Sequence, residues 1–125
     1  MSNPDDRKYH AAHTWLKVEP DGTYCVGITD HAQNELGDVV YVQPPAVGST
    51  VTQGDACGVI ESVKTAADLH APVGGTVTEI NSALEDAPER INSEPYAAWI
   101  YRMTLGDSAE LAALLDAAAY EKQLD

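Results

Sequence analysis

Two short segments of the chain are nearly identical, and this repeat constrains the fold more than any other feature of the sequence. Residues 47–53 read VGSTVTQ and residues 73–79 read VGGTVTE, so the two copies agree at five of seven positions. Each copy joins a glycine to β-favouring residues, which is typical of a tight turn beside a strand. Two copies are too few for a solenoid. The repeat instead predicts two equivalent strand-turn units related by an approximate two-fold axis.

Lys64 lies near the midpoint between the two copies, and it is one of only four lysines in a chain with 20 acidic residues. The sequences on either side, GVIESV before it and TAADLHAPV after it, predict the two strands of a hairpin with Lys64 close to the tip. Glu61 and Asp68 flank the lysine without burying it. A lysine in this position is accessible to a modifying enzyme, and its flexible stem projects from the body. The spacing alone also allows a surface lysine without a function.

The composition limits the class of protein. A chain of 125 residues predicts one domain, and we expect a flexible N-terminal segment at 1–8 and a single folded domain at 9–125. The net charge of −13 argues against nucleic acid and against an anionic membrane surface as partners. No apolar run approaches the length of a membrane span, and the N-terminus resembles neither a signal nor a transit peptide, which predicts a cytoplasmic protein. In that compartment Cys25 and Cys57 are expected to be free thiols.

The pattern of apolar and turn residues predicts a mostly β chain with short helices. Residues 29–37 are predicted to form a helix with Asp30 as the cap, Gln33 as its capping-box partner and Gly37 as the stop. Strands are predicted at 14–18, 23–28, 38–43 and 99–105. Helical turns are predicted at 82–92, broken by Pro88, with Ser82 and Glu85 as a capping pair. A last helix is predicted from Asp107, with Glu110 in a capping box and an apolar stripe of Leu111, Leu114, Leu115 and Ala118.

The segment VIESVKTAADLHAPVGGTVTEIN at 59–81 resembles the lipoyl-attachment segment of the H-protein family of the glycine cleavage system. The resemblance runs in order through almost the whole chain. The sequence HTW at 13–15 is similar to the His-x-Trp segment of that family, VGITDHAQNELGDVVYV at 26–42 to its first helix and following strand, and INSEPYAAWI at 91–100 to its Asn-x-x-Pro-Tyr segment. A collinear set of this kind is far more specific than the lysine segment alone.

The resemblance implies a barrel-sandwich hybrid with a C-terminal helix, in which Lys64 carries lipoate in amide linkage. The protein would be a carrier and not an enzyme. Its arm would receive an aminomethyl group from glycine decarboxylase (P protein) and deliver it to aminomethyltransferase (T protein), and dihydrolipoamide dehydrogenase (L protein) would reoxidise the dithiol. Lipoyl-transfer enzymes would be further partners, with Glu61 and Asp68 helping them to recognise the hairpin. Biotin carriers and acyltransferase lipoyl domains fit less well, because Val63 and Thr65 flank the lysine here.

The resemblance also implies a cleft in which the loaded arm docks, with Thr14, His31 and Asp68 as its candidate residues. Asp68 matches an acid of the family, but Thr14 stands where the family usually has Glu, and Ala12 stands in a stretch where a small polar residue is common. A hydroxyl can accept a hydrogen bond from an amine but lacks the charge-assisted part. An alternative is therefore a relay or regulatory paralogue that carries lipoate without aminomethyl cycling. His10 and His13 are three residues apart, but the segment around them is not clearly helical and no Cys or carboxylate lies at a ligand spacing, so no metal site is predicted.

Overall fold

The computed structural model describes residues 3–124, and these residues form nine strands, four short α-helices and one 3₁₀ helix. The strands are β1 (Lys8–His10), β2 (Thr14–Val18), β3 (Tyr24–Ile28), β4 (Val39–Gln43), β5 (Thr50–Val51), β6 (Ala56–Ser62), β7 (Ala66–His70), β8 (Gly75–Ile80) and β9 (Tyr101–Leu105). The helices are α1 (Asp30–Leu36), α2 (Ala83–Asp86), α3 (Arg90–Ser93), the 3₁₀ helix (Ser108–Ala113) and α4 (Ala117–Leu124).

The strands form two antiparallel sheets, which confirms the mostly β prediction. The larger sheet has the order β1-β2-β3-β9-β8-β5, and the smaller one has the order β4-β6-β7. The main core lies between the sheets and includes Leu16, Val26, Ile60, Leu69 and Val77, each no more than 2% exposed. Burying side chains of this size stabilises the fold by about 1.5–3 kcal/mol each. Together they hold the two sheets face to face.

The two copies of the repeat pair with each other in the larger sheet. Thr50 of the first copy lies opposite Thr76 of the second, and these two threonines occupy the same position in the repeat. The turn residues extend the pairing, since Gly48 N–H donates to Val77 O at 2.8 Å and Val77 N–H donates to Ser49 O at 2.9 Å. Antiparallel pairing of equivalent residues is what a local two-fold axis requires. The predicted two-fold relation is therefore confirmed.

A smaller cluster of buried aromatic residues holds α4 against the larger sheet. Tyr9, Trp15 and Tyr120 are 0–2% exposed, and the Tyr9 and Tyr120 rings stack with centroids 4.9 Å apart. Trp15 also donates from Nε1 to Pro95 O at 3.0 Å. Its ring lies over Gly27, where an added Cβ would come within 2.5 Å of the indole. The glycine in β3 is therefore what allows this tryptophan to lie flat on its own sheet.

Helix α1 forms where the sequence predicts it, but Asp30 is not its cap. Thr29 is the N-cap, and its Oγ1 accepts a hydrogen bond from the Ala32 N–H at 3.2 Å. Asp30 is the first helical residue and accepts from Gln33 Nε2 at 2.9 Å. The predicted cap was thus wrong by one residue, because Thr29 has the extended backbone that a cap requires. Gly37 ends the helix as predicted, with a φ of +78°.

The C-terminal region is not one continuous helix, so that prediction was wrong in its extent. The 3₁₀ helix ends at Ala113, and Leu115 forms a bridge with Tyr9 through backbone hydrogen bonds of 2.7 and 2.8 Å before α4 begins. Asp107 caps the 3₁₀ helix as predicted, accepting from the Ala109 N–H at 2.9 Å. Glu110 does not complete a capping box, because its carboxylate accepts from the Gly74 N–H at 2.7 Å instead.

Two further local predictions concern the helical turns and the N-terminal segment. The turns at 82–92 are broken around Pro88 as predicted, but Ser82 makes no capping bond, and Asn81 Oδ1 accepts from the Ala83 N–H instead. From Asn3 onward the segment at 1–8 has specific contacts; for example, Arg7 donates to Tyr96 O at 2.8 Å. Residues 1 and 2 lie outside the described residues. Among helices of residues 3–124, none combines the length and apolar character needed to cross a membrane.

Candidate attachment site and cleft

Lys64 lies at the tip of the hairpin formed by β6 and β7. The strands pair antiparallel, with Val59 opposite Asp68 and Glu61 opposite Ala66, and residues 63–65 form the connecting loop. Glu61 and Lys64 are both exposed. The predicted hairpin, and the position of the lysine at its tip, are therefore present in the structure.

The backbone of the hairpin tip is fixed by hydrogen bonds, although the tip itself is exposed. Ser62 Oγ donates to Thr65 O at 3.1 Å and accepts from the Thr65 N–H at 3.2 Å and the Lys64 N–H at 3.4 Å. The Val63 N–H donates to Asp38 O at 3.0 Å, which ties the tip to the segment after α1. A serine that bonds to the backbone two and three residues ahead stabilises such a turn. The lysine is thus presented from a defined backbone position.

The aliphatic stem of Lys64 runs past Gly37, at the end of α1. A Cβ atom built on Gly37 would lie 3.4 Å from Lys64 Cε and 3.8 Å from Cδ, so the two residues are in close contact. Among the described residues, no carboxylate forms an ion pair with the ammonium. An exposed amine without a charged partner is accessible to an acylating enzyme and loses no ion pair when it is acylated.

A cavity of about 310 Å³ opens beside the hairpin, between β2, α1 and β7. All three predicted cleft residues, Thr14, His31 and Asp68, line this cavity together with Ala12. Its remaining wall is formed by His13, Ile28, Ala32, Glu35, Leu36, Ile60, Thr65 and Ala67. Since Thr65 directly follows Lys64, the cavity begins next to the lysine.

Thr14 has an unusual environment in this cleft. Its side chain is 1% exposed, and its Oγ1 has no hydrogen-bond partner among the described residues. A buried hydroxyl in this state costs about 1–3 kcal/mol. The preceding residue, His13, has a φ of +70°, a left-handed conformation that non-glycine residues rarely adopt. Unsatisfied and strained groups of this kind concentrate at functional sites.

A chain of polar side chains connects α4 to the cleft. Tyr120 Oη lies 2.6 Å from His13 Nδ1 and 2.8 Å from Thr29 Oγ1. In the neutral tautomer of His13 that carries its proton on Nε2, the tyrosine hydroxyl donates to Nδ1 and accepts from the threonine hydroxyl. The His13 ring lies 4.6 Å from the His31 ring, and His31 Nε2 in turn lies 2.7 Å from Glu35 Oε1. One wall of the cleft is therefore a connected network that reaches the C-terminal helix.

The pKa of His13 lies below its usual value because of this environment. Burial is the main cause, the nearby His31 ring lowers the pKa further, and the Glu35 carboxylate opposes both. Neutral His13 is also the form that can accept a hydrogen bond from the Tyr120 hydroxyl at Nδ1. The His10 pKa is lowered as well, mainly by burial and secondarily by His70, but neither residue lines the cleft. Within residues 3–124, no group of three potential ligand residues is close enough to hold a metal ion.

The sequence reasoning missed Glu35 and Tyr120. Glu35 follows His31 by four residues, and this spacing on a predicted helix places both on one face, so the sequence would have allowed the contact between them to be predicted. Tyr120 is more than 100 residues from His13 in sequence, and no local pattern indicated that they would meet.

The two cysteines are free, with Cys25 buried and Cys57 partly buried.

The fold and the site together define a class of protein: a carrier domain with an internal two-fold repeat and an exposed lysine at a hairpin tip. The family described as glycine cleavage H-protein matches residues 7–125. The chain therefore belongs to the glycine cleavage H-protein family.

The similar proteins cover the whole chain. Glycine cleavage system H proteins of Cronobacter sakazakii and Escherichia coli O7:K1 are each 56% identical over 127 residues, covering 100% of this chain and 98% of the relative. A crystal structure of a glycine cleavage system H protein from Mycobacterium marinum has a TM-score of 0.85 at 42% identity and covers 98% of both chains. The predicted barrel-sandwich fold is confirmed by this likeness. The chain is a non-catalytic lipoyl carrier of the glycine cleavage system.

Proposed function

We propose that Lys64 carries lipoate through an amide bond and that the loaded arm shuttles an aminomethyl group from glycine decarboxylase to aminomethyltransferase. Dihydrolipoamide dehydrogenase would be the third partner. The observation that carries the proposal is the position of Lys64, which is exposed at a fixed hairpin tip beside a cavity of about 310 Å³. A bacterial cytoplasm is the proposed compartment, which agrees with the bacterial relatives and the two free thiols.

The residues around the lysine suit a covalently attached lipoyl group. Lipoate supplies the thiol-disulfide chemistry, which the buried Cys25 and the partly buried Cys57 are poorly placed to perform. Acylation removes the lysine charge, so the resulting arm can lie against apolar walls such as Ile28 and Ile60. The orphaned Thr14 hydroxyl is the polar atom in this cleft that a bound group would satisfy.

The cleft would hold an amine by a hydrogen bond and by negative charge. In the proposed docked state Asp68 and Glu35 supply the carboxylates that attract the amine, and the local rearrangement that docking requires exposes the buried Thr14 Oγ1 as a hydrogen-bond acceptor. The neutral His13 adds no opposing charge. The apolar part of the wall limits the access of water to the docked group. Thr14 is neutral, so the main attraction for the amine is the negative charge of Asp68 on β7 and Glu35 on α1.

Attachment is tested by the intact mass of protein purified from its native host. The expected result is a lipoyl adduct in the native sequence, its loss in Lys64→Arg and its retention in Lys17→Arg. The second variant makes the same substitution on β2, away from the hairpin. An unmodified mass, or an adduct that survives Lys64→Arg, would refute the attachment. Recognition by Glu61 and Asp68 is tested in the same way, since Glu61→Gln or Asp68→Asn should slow lipoylation.

Aminomethyl cycling is tested by glycine–bicarbonate exchange with the partner decarboxylase. Lipoylated protein should support the exchange, and Thr14→Glu should lengthen the lifetime of the loaded arm. The neutral residues Thr14 and Ala12 favour the alternative function, a relay or regulatory carrier of lipoate. Lipoylated protein that supports no exchange would establish that alternative and refute the shuttle.

A further inference from the structure

Exposed apolar side chains are concentrated beside the attachment hairpin. Five large hydrophobic residues of the described chain are at least half exposed, and three of them adjoin the hairpin: Val40 at 52%, Tyr41 at 50% and Val63 at 70%. Val18 and Val47, at 55% and 58%, are the other two. We call Val40, Tyr41 and Val63 the apolar ledge. The proposed cleft uses none of its members.

A β-bulge in β4 creates most of the ledge. Val39 pairs with Ser62 and Tyr41 pairs with Glu61, so two steps along β4 correspond to one step along β6. In a regular strand, residues three apart face opposite sides of the sheet. The extra residue lets Val39 and Val42 both face the core, and it leaves Val40 and Tyr41 together on the outside.

The register places the ledge next to the lysine. Tyr41 lies opposite the exposed Glu61, and Val63, in the loop directly before Lys64, is 70% exposed. The hydrogen bond from the Val63 N–H to Asp38 O keeps the tip beside the start of β4. Lys64 therefore lies between two different surfaces, with the cleft on its β7 side and the ledge on its β4 side.

The charge around the ledge indicates what kind of partner covers it. Apart from Lys64, which directly follows Val63, the nearest charged residues are the acids Asp38 and Glu61, and the chain as a whole carries −13. A second copy of the chain would bring these acidic rims together, which disfavours self-association. A partner with an apolar socket inside a basic rim would be complementary in both respects.

We propose that the apolar ledge is the docking surface for the enzyme that acylates Lys64, an inference that rests on the proposed function. In that reaction the neutral Nζ attacks the carbonyl carbon of an activated lipoyl group, such as a mixed anhydride or thioester. The amide C–N bond forms as the bond to the activating group breaks, the activating group leaves with the electron pair, and the amine proton passes to a base. The reacting amine lies at the end of a four-carbon stem, so the active site of this enzyme must come close to the hairpin tip, where the ledge lies.

The test compares rates of lipoylation of the full-length apo-protein with lipoate, ATP and a purified ATP-dependent lipoyl-transfer enzyme. The double variant Val40→Thr/Tyr41→Thr removes the ledge on β4 but keeps β-branched residues and leaves the lysine loop intact. The matched control is Val18→Thr/Val47→Thr, which makes a similar change at equally exposed positions. We expect kcat/KM to fall at least tenfold for the ledge variant, mainly through KM, and to stay within twofold for the control.

The outcomes separate this inference from the proposed function. If the wild-type chain accepts no lipoyl group, the proposed function fails and the docking surface fails with it. If the wild type is lipoylated and the ledge variant reacts at the same kcat/KM, only the docking surface is overturned. It is also overturned if the ledge variant is lipoylated normally but loses glycine–bicarbonate exchange or self-association, because the ledge would then serve another partner. Circular dichroism melts of both variants establish that they are folded.

Discussion

Thr14→Val is expected to stabilise the free protein, although it changes a buried residue of the candidate site. The substitution replaces the hydroxyl with a methyl group of nearly the same shape and keeps a β-branched residue in strand β2. The Thr14 side chain is 1% exposed, and its Oγ1 has no partner among the described residues. The hydroxyl therefore gives up its hydrogen bonds to water on folding and gains none in return.

Thr29→Val is the matched control, because the same chemical change there should have the opposite sign. Thr29 is 0% exposed, and its Oγ1 accepts the cap hydrogen bond from Ala32 and bonds to Tyr120 Oη. Removing an unpaired hydroxyl should raise the free energy of unfolding by about 1 kcal/mol. Losing the cap and the tyrosine partner should lower it by about 2 kcal/mol. For a chain of this length, 1 kcal/mol corresponds to a Tm shift of about 4 °C.

The assay is equilibrium unfolding in urea together with thermal melts, at pH 7.5 and with unlipoylated protein. Thr14→Val should raise the Tm by about 4 °C, and Thr29→Val should lower it by about 8 °C, with unchanged urea m-values. A lower Tm for Thr14→Val would show that its hydroxyl has a partner in solution, such as an ordered water, and would refute the reasoning. The same variant should shorten the lifetime of the aminomethylated arm, because the cleft loses its hydrogen-bond acceptor at this position.

Three further predictions concern pH, thiol reactivity and the hairpin turn. The pKa of His13 is lower in the folded than in the unfolded protein, so its contribution to the free energy of unfolding should be fully present above about pH 7 and should decrease as the pH falls through about 6.5. His13→Asn keeps a residue that tolerates a positive φ, and it should reduce this pH dependence in urea titrations between pH 5 and 7. Burial and the hydrogen bond to Glu19 raise the Cys25 pKa to about 11, so iodoacetamide at pH 8 should label it only after unfolding, and rapid labelling of the native protein would contradict this. Ser62→Ala should lower stability by about 1 kcal/mol and increase hydrogen exchange at the Thr65 amide, and unchanged exchange there would show that the serine does not fix the turn.

The sequence predicted well those elements whose determinants are local. The strand at 14–18 and the end of α1 at Gly37 follow from alternation and from a glycine that supplies the left-handed backbone. The hairpin around Lys64 and the two-fold pairing also follow from local information, because the repeat is visible in the sequence itself. In these cases the pattern of residues and the tertiary fold favour the same structure.

The failed predictions share a physical cause, which is competition from distant groups. Glu110 has the spacing of a capping-box residue, but its carboxylate accepts a hydrogen bond from the Gly74 N–H in the turn before β8. The expected single C-terminal helix is interrupted because Leu115 forms backbone hydrogen bonds with Tyr9 at the edge of the larger sheet. The β-bulge at Val40 was equally invisible, since β-branched residues favour a strand whether or not it is regular. Local propensity cannot rank such alternatives, because their free energies depend on chain segments far away in sequence.

The cleft combines several groups whose free energies are unfavourable in the folded protein. Thr14 has an unpaired hydroxyl, His13 has a left-handed backbone, and the His13 and His31 rings are too close for both to be protonated without repulsion. These groups persist because the surrounding structure fixes them, above all the Tyr120 hydroxyl, which holds His13 from the far side. In the proposed function, an amine docked in the cleft satisfies the Thr14 hydroxyl and meets the acidic residues of the wall. The unfavourable free energy of these groups would thus be offset on docking, which favours the docked position for an arm that carries an amine over that for an unloaded arm.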